Sequence, residues 1–142
     1  MNAHAIATAG ALVALLALAP SAASAQDDAA SKLAAAGRAE YLQYCASCHG
    51  AAGKGDGPLV EDLVAKPSDL TRIAQRRGGT FPEPMIAEIV DGRRRMRGHG
   101  PGNMPVWGKR FDREVPYGEA GDIAVRGRVA LLIEYLRSIQ VK

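Results

Sequence analysis

The sequence predicts an all-α fold of about four to five helices joined by long loops. Apolar residues recur at helical spacing in three segments, and no alternating strand pattern of useful length is present. Many of the 16 glycines and 8 prolines stand between those segments, where they exclude regular structure. Loops of this length in a small domain usually carry function.

The first predicted helix runs from Lys32 to about Ser47, with Ser31 as its N-cap. Spacings of three and four residues place one set of positions on a single face. These positions are Leu33, Gly37, Tyr41 and Tyr44. Four glycines and a proline within residues 50–58 then predict a loop.

Two further elements are expected in the middle of the chain. A short helical turn over Asp69–Arg77 ends at Gly78-Gly79. Pro82 and Pro84 then open a helix, which Gly92 closes. The apolar stripe of this helix consists of Met85, Ile86, Ile89 and Val90.

The C-terminal part is predicted to begin as a loop over Gly98–Gly108, which contains two prolines, and to end as a helix. Asp122 caps this helix, which extends to about Ile139. Its apolar face consists of Val125, Val129, Leu132, Ile133, Leu136 and Ile139.

The first 25 residues have the pattern of an export signal. An apolar run over residues 5–19 is followed by Ala23-Ser24-Ala25, which fits the small-x-small cleavage pattern. The run is shorter than the ~20 residues that a membrane-spanning helix needs. No Lys or Arg precedes it, so an uncleaved anchor is the alternative. In either case we expect the folded part to lie outside the cytoplasm. With the signal cleaved, we expect no stable membrane insertion.

Removal of those 25 of the 142 residues leaves 117. We expect residues 26–31 to be a flexible lead-in and residues 32–142 to form one domain. The net charge of +3 is too small to indicate a nucleic-acid binder. Two cysteines exclude a disulfide-rich scaffold, which a domain of this size does not need.

Both cysteines stand in the segment Cys45-Ala46-Ser47-Cys48-His49, which is C-x-x-C-H, the attachment pattern of c-type haem. On a helix, positions i, i+3 and i+4 share a face, with neighbouring side chains about 5–6 Å apart. Cys45 and Cys48 can therefore reach two vinyl groups on one porphyrin edge, and His49 can bind the iron. The segment predicts one covalently attached haem c, held by these three residues.

Three other interpretations of the cysteine pair compete with haem attachment. A thioredoxin-like redox pair needs a β-α-β frame, for which the sequence shows no strands. A zinc site needs four ligands, and no second Cys or His pair is present. An incidental disulfide is compatible with export, since thiols oxidise outside the cytoplasm.

The far side of an electron-carrying haem usually binds a methionine or a second histidine. Met104 is the favoured candidate because Pro105 pushes it towards extended backbone and nearby glycines allow close approach to a flat group. Met85 lies on a helical stripe typical of a core residue, and Met96 stands among arginines. His99 is expected to hydrogen-bond within its loop. His99, Met96 and an open iron site remain alternatives.

Together these residues resemble the class I c-type cytochromes of the small, exported, monohaem bacterial kind, over about Gly37–Ile139. Met104–Gly108 resembles the ligand loop of one branch of that family. The resemblance implies a cytochrome c-like fold around one haem, with His49 and Met104 as iron ligands. It also implies that the Pro58 carbonyl accepts a hydrogen bond from the other ring nitrogen of His49, an ordinary turn proline being the alternative.

The resemblance further concerns the crossing of the first and last helices. Gly37 and Tyr41 are similar to the glycine and aromatic residues at which these helices meet in the family, with Leu132 and Tyr135 as counterparts. Trp107 is expected either to pack on the porphyrin or donate to a haem propionate, or to be a plain core residue. The candidate liners of the haem pocket are Leu59, Val60, Leu63, Leu70, Ile73, Phe81, Ile86 and Val90.

The resemblance implies a periplasmic one-electron carrier that serves redox protein partners, is a monomer and is not an enzyme. Two basic runs flank the ligand loop: Arg93, Arg94, Arg95 and Arg97 before it, and Lys109, Arg110 and Arg113 after it. They either steer an acidic docking face of the partner or form a solvated face paired with Glu83, Glu88 and Asp91. The alternatives to a free carrier are an electron-accepting cytochrome subunit of a dehydrogenase or oxidase complex, and a haem sensor or peroxidase with an open iron site.

Overall fold

The structure, a computed structural model of the chain, describes residues 22–94, 106–115 and 118–141. Its α-helices are α1 (Ala22–Tyr44), α2 (Ala46–His49), α3 (Glu83–Asp91), α4 (Trp107–Asp112) and α5 (Glu119–Ser138). Short 3-10 turns cover Val60–Asp62, Leu70–Arg72 and Gln75–Arg77. No strand occurs in these three ranges, and the predicted all-α fold is confirmed. Among the same residues, no helix has the length and apolarity of a membrane span.

Helix α1 differs from its prediction at both ends. It begins at Ala22 rather than at Lys32, so residues 26–31, the expected lead-in, are helical and exposed. Alanine has the highest helix propensity, and in this alanine-rich stretch it outweighs the capping signal of Ser31. The helix ends at Tyr44, and α2 follows as a separate turn after Cys45. The division into signal, lead-in and domain stays a prediction, since residues 1–21 lie outside the described ranges.

The crossing of α1 and α5 is the main contact of the fold. A Cβ at Gly37 would lie 1.9 Å from the Leu131 carbonyl oxygen, so only glycine allows the two backbones to approach this closely. One turn further along α1, the ring centroids of Tyr41 and Tyr135 are 4.9 Å apart. The predicted crossing is confirmed, with the difference that Gly37 meets the backbone of Leu131 rather than Leu132.

Helix α3 follows its prediction to within a residue. Pro84 lies in its first turn, where a missing N–H costs nothing, and Gly92 ends it in the left-handed conformation with φ 84°. The turn predicted over Asp69–Arg77 appears as two 3-10 pieces, ended by Gly78 at φ 70°. Asp69 caps the first piece, because its carboxylate accepts from the backbone N–H of Thr71 at 2.9 Å.

Helix α4 was not predicted and includes the end of the expected Gly98–Gly108 loop. It forms because Trp107 and Phe111, one turn apart, are both buried, at 9% and 0% exposure. Residues 98–105 of that loop lie outside the described ranges. Helix α5 begins at Glu119, so Asp122 lies within its first turn instead of capping it.

Arg128 on α5 joins three helices. Its guanidinium pairs with Glu40 of α1 and with Glu114 after α4, both at 2.9 Å. The same group lies 4.0 Å from the ring centroid of Phe111 and 4.9 Å from that of Tyr44. This combination of ion pairs and cation–π contacts fixes α4 against the crossing of α1 and α5.

Candidate functional site

The C-x-x-C-H segment lies on a helical turn, as its spacing predicted. The backbone N–H of His49 donates to the Cys45 carbonyl at 2.9 Å, and that of Gly50 donates to Ala46 at 2.8 Å. Cys45 and Cys48 are both half-buried free thiols. Burial raises the pKa of Cys45 to about 12, so its sulfur is a neutral thiol at neutral pH. A redox-active C-x-x-C pair has a lowered pKa instead, so this thiol is unlike a thioredoxin cysteine.

The loop after this turn wraps around the segment and binds its carbonyl groups. Gly55 N–H donates to the His49 carbonyl at 2.8 Å, and Gly57 N–H donates to that of Cys48 at 3.2 Å. A Cβ at Gly57 would lie 2.4 Å from the Ser47 carbonyl oxygen, so this close approach requires glycine. The glycine-rich sequence therefore serves to satisfy the C-terminal carbonyls of α2.

His49 is buried, with 7% of its surface exposed. Its Nδ1 lies 3.2 Å from the Ser68 carbonyl oxygen. The family resemblance predicted the Pro58 carbonyl in this position, and Ser68 occupies it instead, because the segment around Pro67 runs directly against Gly55. A proton on Nδ1 that is donated to Ser68 leaves the lone pair on Nε2, the arrangement usual for a metal-binding histidine.

An open cavity lies beside this histidine. Its empty volume is about 910 Å³, which includes the space open to solvent at its mouth. Most of its walls are apolar. The lining residues are Tyr41, Cys45, His49, Ser68, Leu70, Ile73, Arg76, Arg77, Met85, Ile86, Ile89, Val90, Leu132 and Leu136.

Half of the predicted pocket liners are found in this cavity. Leu70, Ile73, Ile86 and Val90 line it, whereas Leu59, Val60, Leu63 and Phe81 do not. Leu59 is instead 44% exposed, since it lies on the outer side of the loop that wraps α2.

The prediction missed the contributions of α5 and of the arginine pair. Leu132 and Leu136 were recognised as one apolar face, but sequence alone does not show which cavity that face lines. Met85 packs against the core, as its helical stripe predicts, and it also lines the cavity. Arg76 and Arg77 carried no signal, because nothing local distinguishes them from solvated arginines.

The candidate iron ligand Met104, and its alternatives Met96 and His99, lie outside the described residues. Within those residues, the structure brings Cys45, His49 and Met85 to one cavity.

Trp107 packs in the core, with its ring centroid 5.5 Å from that of Tyr44 and 6.0 Å from that of Phe111. It is not among the cavity-lining residues, so the interpretation as a core tryptophan holds.

The first predicted basic run is largely neutralised where the structure describes it. Arg93 pairs with Asp91 at 2.6 Å, and Arg94 pairs with Glu88 at 2.7 Å. Asp91 and Glu88 are two of the three carboxylates expected to pair with the basic runs if these runs form a solvated face. The second run differs, because Lys109 and Arg113 have no acidic partner within 4.0 Å among the described residues.

The residues present fit a covalently held tetrapyrrole. The cavity has apolar walls for a flat ring, a thiol at its edge and one imidazole whose Nδ1 is held by a backbone carbonyl. The described residues contain no cluster of three or more His, Cys, Asp or Glu side chains able to hold a metal alone.

The comparisons agree with this fit. The model of the family described as cytochrome c oxidase, cbb3-type, subunit III matches residues 32–115, which is more than half of the chain. No curated protein and no solved structure matches the chain significantly.

Proposed function

The chain belongs to the family of the cbb3-type cytochrome c oxidase subunit III and is a monohaem class I c-type cytochrome; from this premise we propose that it is a periplasmic one-electron carrier with His/Met axial ligation. The cytochrome c domain implies electron transfer by c-type haem, redox partners and a location outside the cytoplasm. The observation that carries the proposal is the apolar cavity lined by both Cys45 and His49.

In this proposal Cys45 and Cys48 form the two thioether bonds, and His49 and Met104 bind the iron. When bound, a c-type haem supplies a one-electron couple. The Ser68 carbonyl orients the His49 ring and raises its basicity as a ligand. The apolar walls disfavour the additional positive charge of the oxidised state and keep water from the site, which raises the reduction potential.

The first test is the absorption spectrum of the purified reduced protein, matured in a host that attaches haem, with a haem stain after denaturing electrophoresis. We expect a c-type spectrum and a stained band at the size of the chain. The Cys45→Ala/Cys48→Ala variant should lose the stain. Bare thiols in the mass spectrum of the matured wild-type protein would overturn the proposal.

The second test compares Met104 with Met85, the described methionine that lines the cavity. Met104→Leu should abolish the weak sulfur-to-iron absorption band at the red end and allow carbon monoxide to bind the reduced protein. Met85→Leu is the matched control, because it removes a thioether that lines the cavity while it keeps the volume. Loss of the band in the Met85 variant alone would move the ligand to Met85. Carbon monoxide binding to the wild type would favour a sensor or peroxidase.

We further propose that the partner's docking face is acidic. The net charge is +3, and Lys109 on α4 and Arg113 at its C-terminal end have no acidic partners in the described part of the chain. Charge reversal at both residues should flatten the salt dependence of the partner reaction. Lys32→Glu is the control, since it lies about 20 Å along α1 from Cys45. An unchanged salt slope would contradict this part of the proposal.

A second candidate function is suggested by the description of the matching family, which names an oxidase subunit. The chain would then accept electrons within a dehydrogenase or oxidase complex. Native electrophoresis of extracts with haem staining distinguishes the two: a free carrier migrates at the size of the chain, and a complex subunit migrates with larger proteins.

A further inference from the structure

The rim of the cavity carries two arginines whose role the proposed function leaves open. Arg76 and Arg77, on the 3-10 turn Gln75–Arg77, are the charged side chains among the described lining residues, and none of those residues is acidic. The other titratable groups facing the cavity are Tyr41, Cys45 and His49, from the end of α1 and from α2. Helices α3 and α5 contribute only apolar side chains to it.

A cavity of this character selects a ligand with a flat apolar body and an anionic edge. The apolar walls favour burial of the body, whereas a carboxylate buried without a positive partner would be costly. The arginine fork can bind a carboxylate through two parallel hydrogen bonds, and its exposed position lets the carboxylate keep contact with water.

The two arginines are held on a well-anchored turn. Arg77 N–H and Gly79 N–H both donate to the Ala74 carbonyl at 2.9 Å, and Ala74 N–H donates to the Gln140 side chain at 2.9 Å. One Arg76 nitrogen donates to the Asp69 carbonyl at 2.8 Å, which positions this guanidinium and leaves its other donors available.

Arg77 differs from its neighbours because it has no ion pair or hydrogen bond from its side chain within the described ranges. Arg72, three residues before the Gln75–Arg77 turn, instead lies 3.8 Å from the Asp69 carboxylate and does not line the cavity. An unpaired guanidinium at the rim of an apolar cavity is what an anionic ligand edge would pair with.

Resting on the proposed function, we propose that Arg77, assisted by Arg76, binds the propionate carboxylates of the haem. These arginines then set the orientation of the haem in the cavity and stabilise the ionised propionates. They are binding residues for the cofactor rather than part of a partner-docking face.

The test uses the haem-loaded protein and the variants Arg77→Gln, Arg76→Gln and Arg77→Lys, with Arg72→Gln as the matched control. The readouts are the resonance Raman band of the propionates and the pH at which the reduction potential begins to change with propionate ionisation. A positive charge beside a carboxylate lowers its pKa by about 1–3 units, so Arg77→Gln should raise that pH by about one unit or more. Arg77→Lys should raise it less, and Arg72→Gln should leave both readouts unchanged.

Equal readouts in Arg77→Gln and Arg72→Gln would overturn the inference. A changed salt dependence of electron exchange with unchanged propionate readouts would also overturn it, and would assign the arginines to docking. If Arg77→Gln fails to mature, Arg77→Lys and Arg76→Gln provide the same comparison. Failure of the proposed function is visible separately, because the wild-type protein would then carry no haem stain.

Discussion

At the scale of single residues, the Tyr41 hydroxyl connects the helix crossing to the turn that carries His49. Tyr41 is fully buried, and its hydroxyl donates to the Gly50 carbonyl at 2.7 Å. Burial, more than the neighbouring Cys45, raises the pKa of Tyr41 well above its usual range. The phenol therefore stays protonated, and remains a donor, throughout the physiological pH range.

Removal of this hydroxyl should destabilise the protein without altering the packing of the ring. Tyr41→Phe leaves the buried Gly50 carbonyl without its donor, which costs about 1–3 kcal/mol. Urea unfolding of the haem-loaded protein measures the loss. Tyr135→Phe is the control, because it keeps the 4.9 Å ring pair and removes a hydroxyl that forms no hydrogen bond in the described part of the chain. Equal effects of the two variants would contradict the assignment.

Asp69 is a second residue whose effect on stability can be measured, through its pH dependence. The Thr71 hydroxyl, at 2.6 Å, holds the pKa of this carboxyl below its ordinary value of 3.8, and Arg72 and Arg76 act in the same direction. A lowered pKa stabilises the fold above the ordinary value, and this contribution is lost as the pH falls through the lower folded value.

The unfolding free energy of the wild type should therefore exceed that of Asp69→Asn by a constant amount at neutral pH. The difference should shrink only below about pH 4, where the carboxyl becomes protonated. Urea midpoints of both proteins at several pH values test this. A difference that persists unchanged to the lowest pH would show that the asparagine, rather than the lost charge, causes it.

At the scale of elements, the position of α5 depends on the absence of a side chain at Gly37. The Leu131 carbonyl oxygen would be only 1.9 Å from a Cβ there, and the backbone of a helix cannot shift locally to make room. Gly127 is also a helical glycine, on α5, and has open space where its Cβ would stand. The two glycines therefore offer a matched comparison.

Gly37→Ala should push α1 and α5 apart, and we expect a loss of about 1–3 kcal/mol or more from this overpacking. Gly127→Ala should be neutral or stabilise by about 0.5–1 kcal/mol, since alanine replaces glycine in an open helical position. Thermal unfolding of both variants gives the comparison. A Gly37 variant as stable as the wild type would mean that the crossing tolerates a wider separation.

The elements also show which parts of the structure the sequence can predict. Helix α3 was predicted to within a residue because its limits are set locally, by Pro84 and Gly92. Helix α4 was missed because it depends on burial of Trp107 and Phe111 against residues distant in sequence. The C-x-x-C-H turn was likewise a local prediction, whereas the Ser68 carbonyl beside His49 depends on how two loops meet.

At the scale of the whole molecule, the cavity is where the elements converge. The ends of α1 and α2, the segment 68–77, α3 and α5 each contribute part of its wall. Several of the apolar liners are only half-buried by protein alone, namely Leu70, Met85 and Ile89. The hydrophobic core is therefore completed only when an apolar group fills the cavity. This accounts for a sequence with only 5% aromatic residues.

The chain without its cofactor should be much less stable than the haem-loaded protein. Suppose that burial against the haem contributes about 1 kcal/mol for each of these three side chains. The free energy of unfolding of the haem-free protein is then lower by at least ~3 kcal/mol. This is a large part of the ~5–15 kcal/mol that is typical of a domain. Loss of the bonds proposed for Cys45, Cys48 and His49 would add to this, because those bonds would anchor α2. The Cys45→Ala/Cys48→Ala variant, prepared without haem, should therefore unfold at much lower urea and lose the near-ultraviolet signal of Trp107. A haem-free variant that unfolds cooperatively at the wild-type midpoint would show that the protein closes its core unaided, and the cavity would then need another explanation.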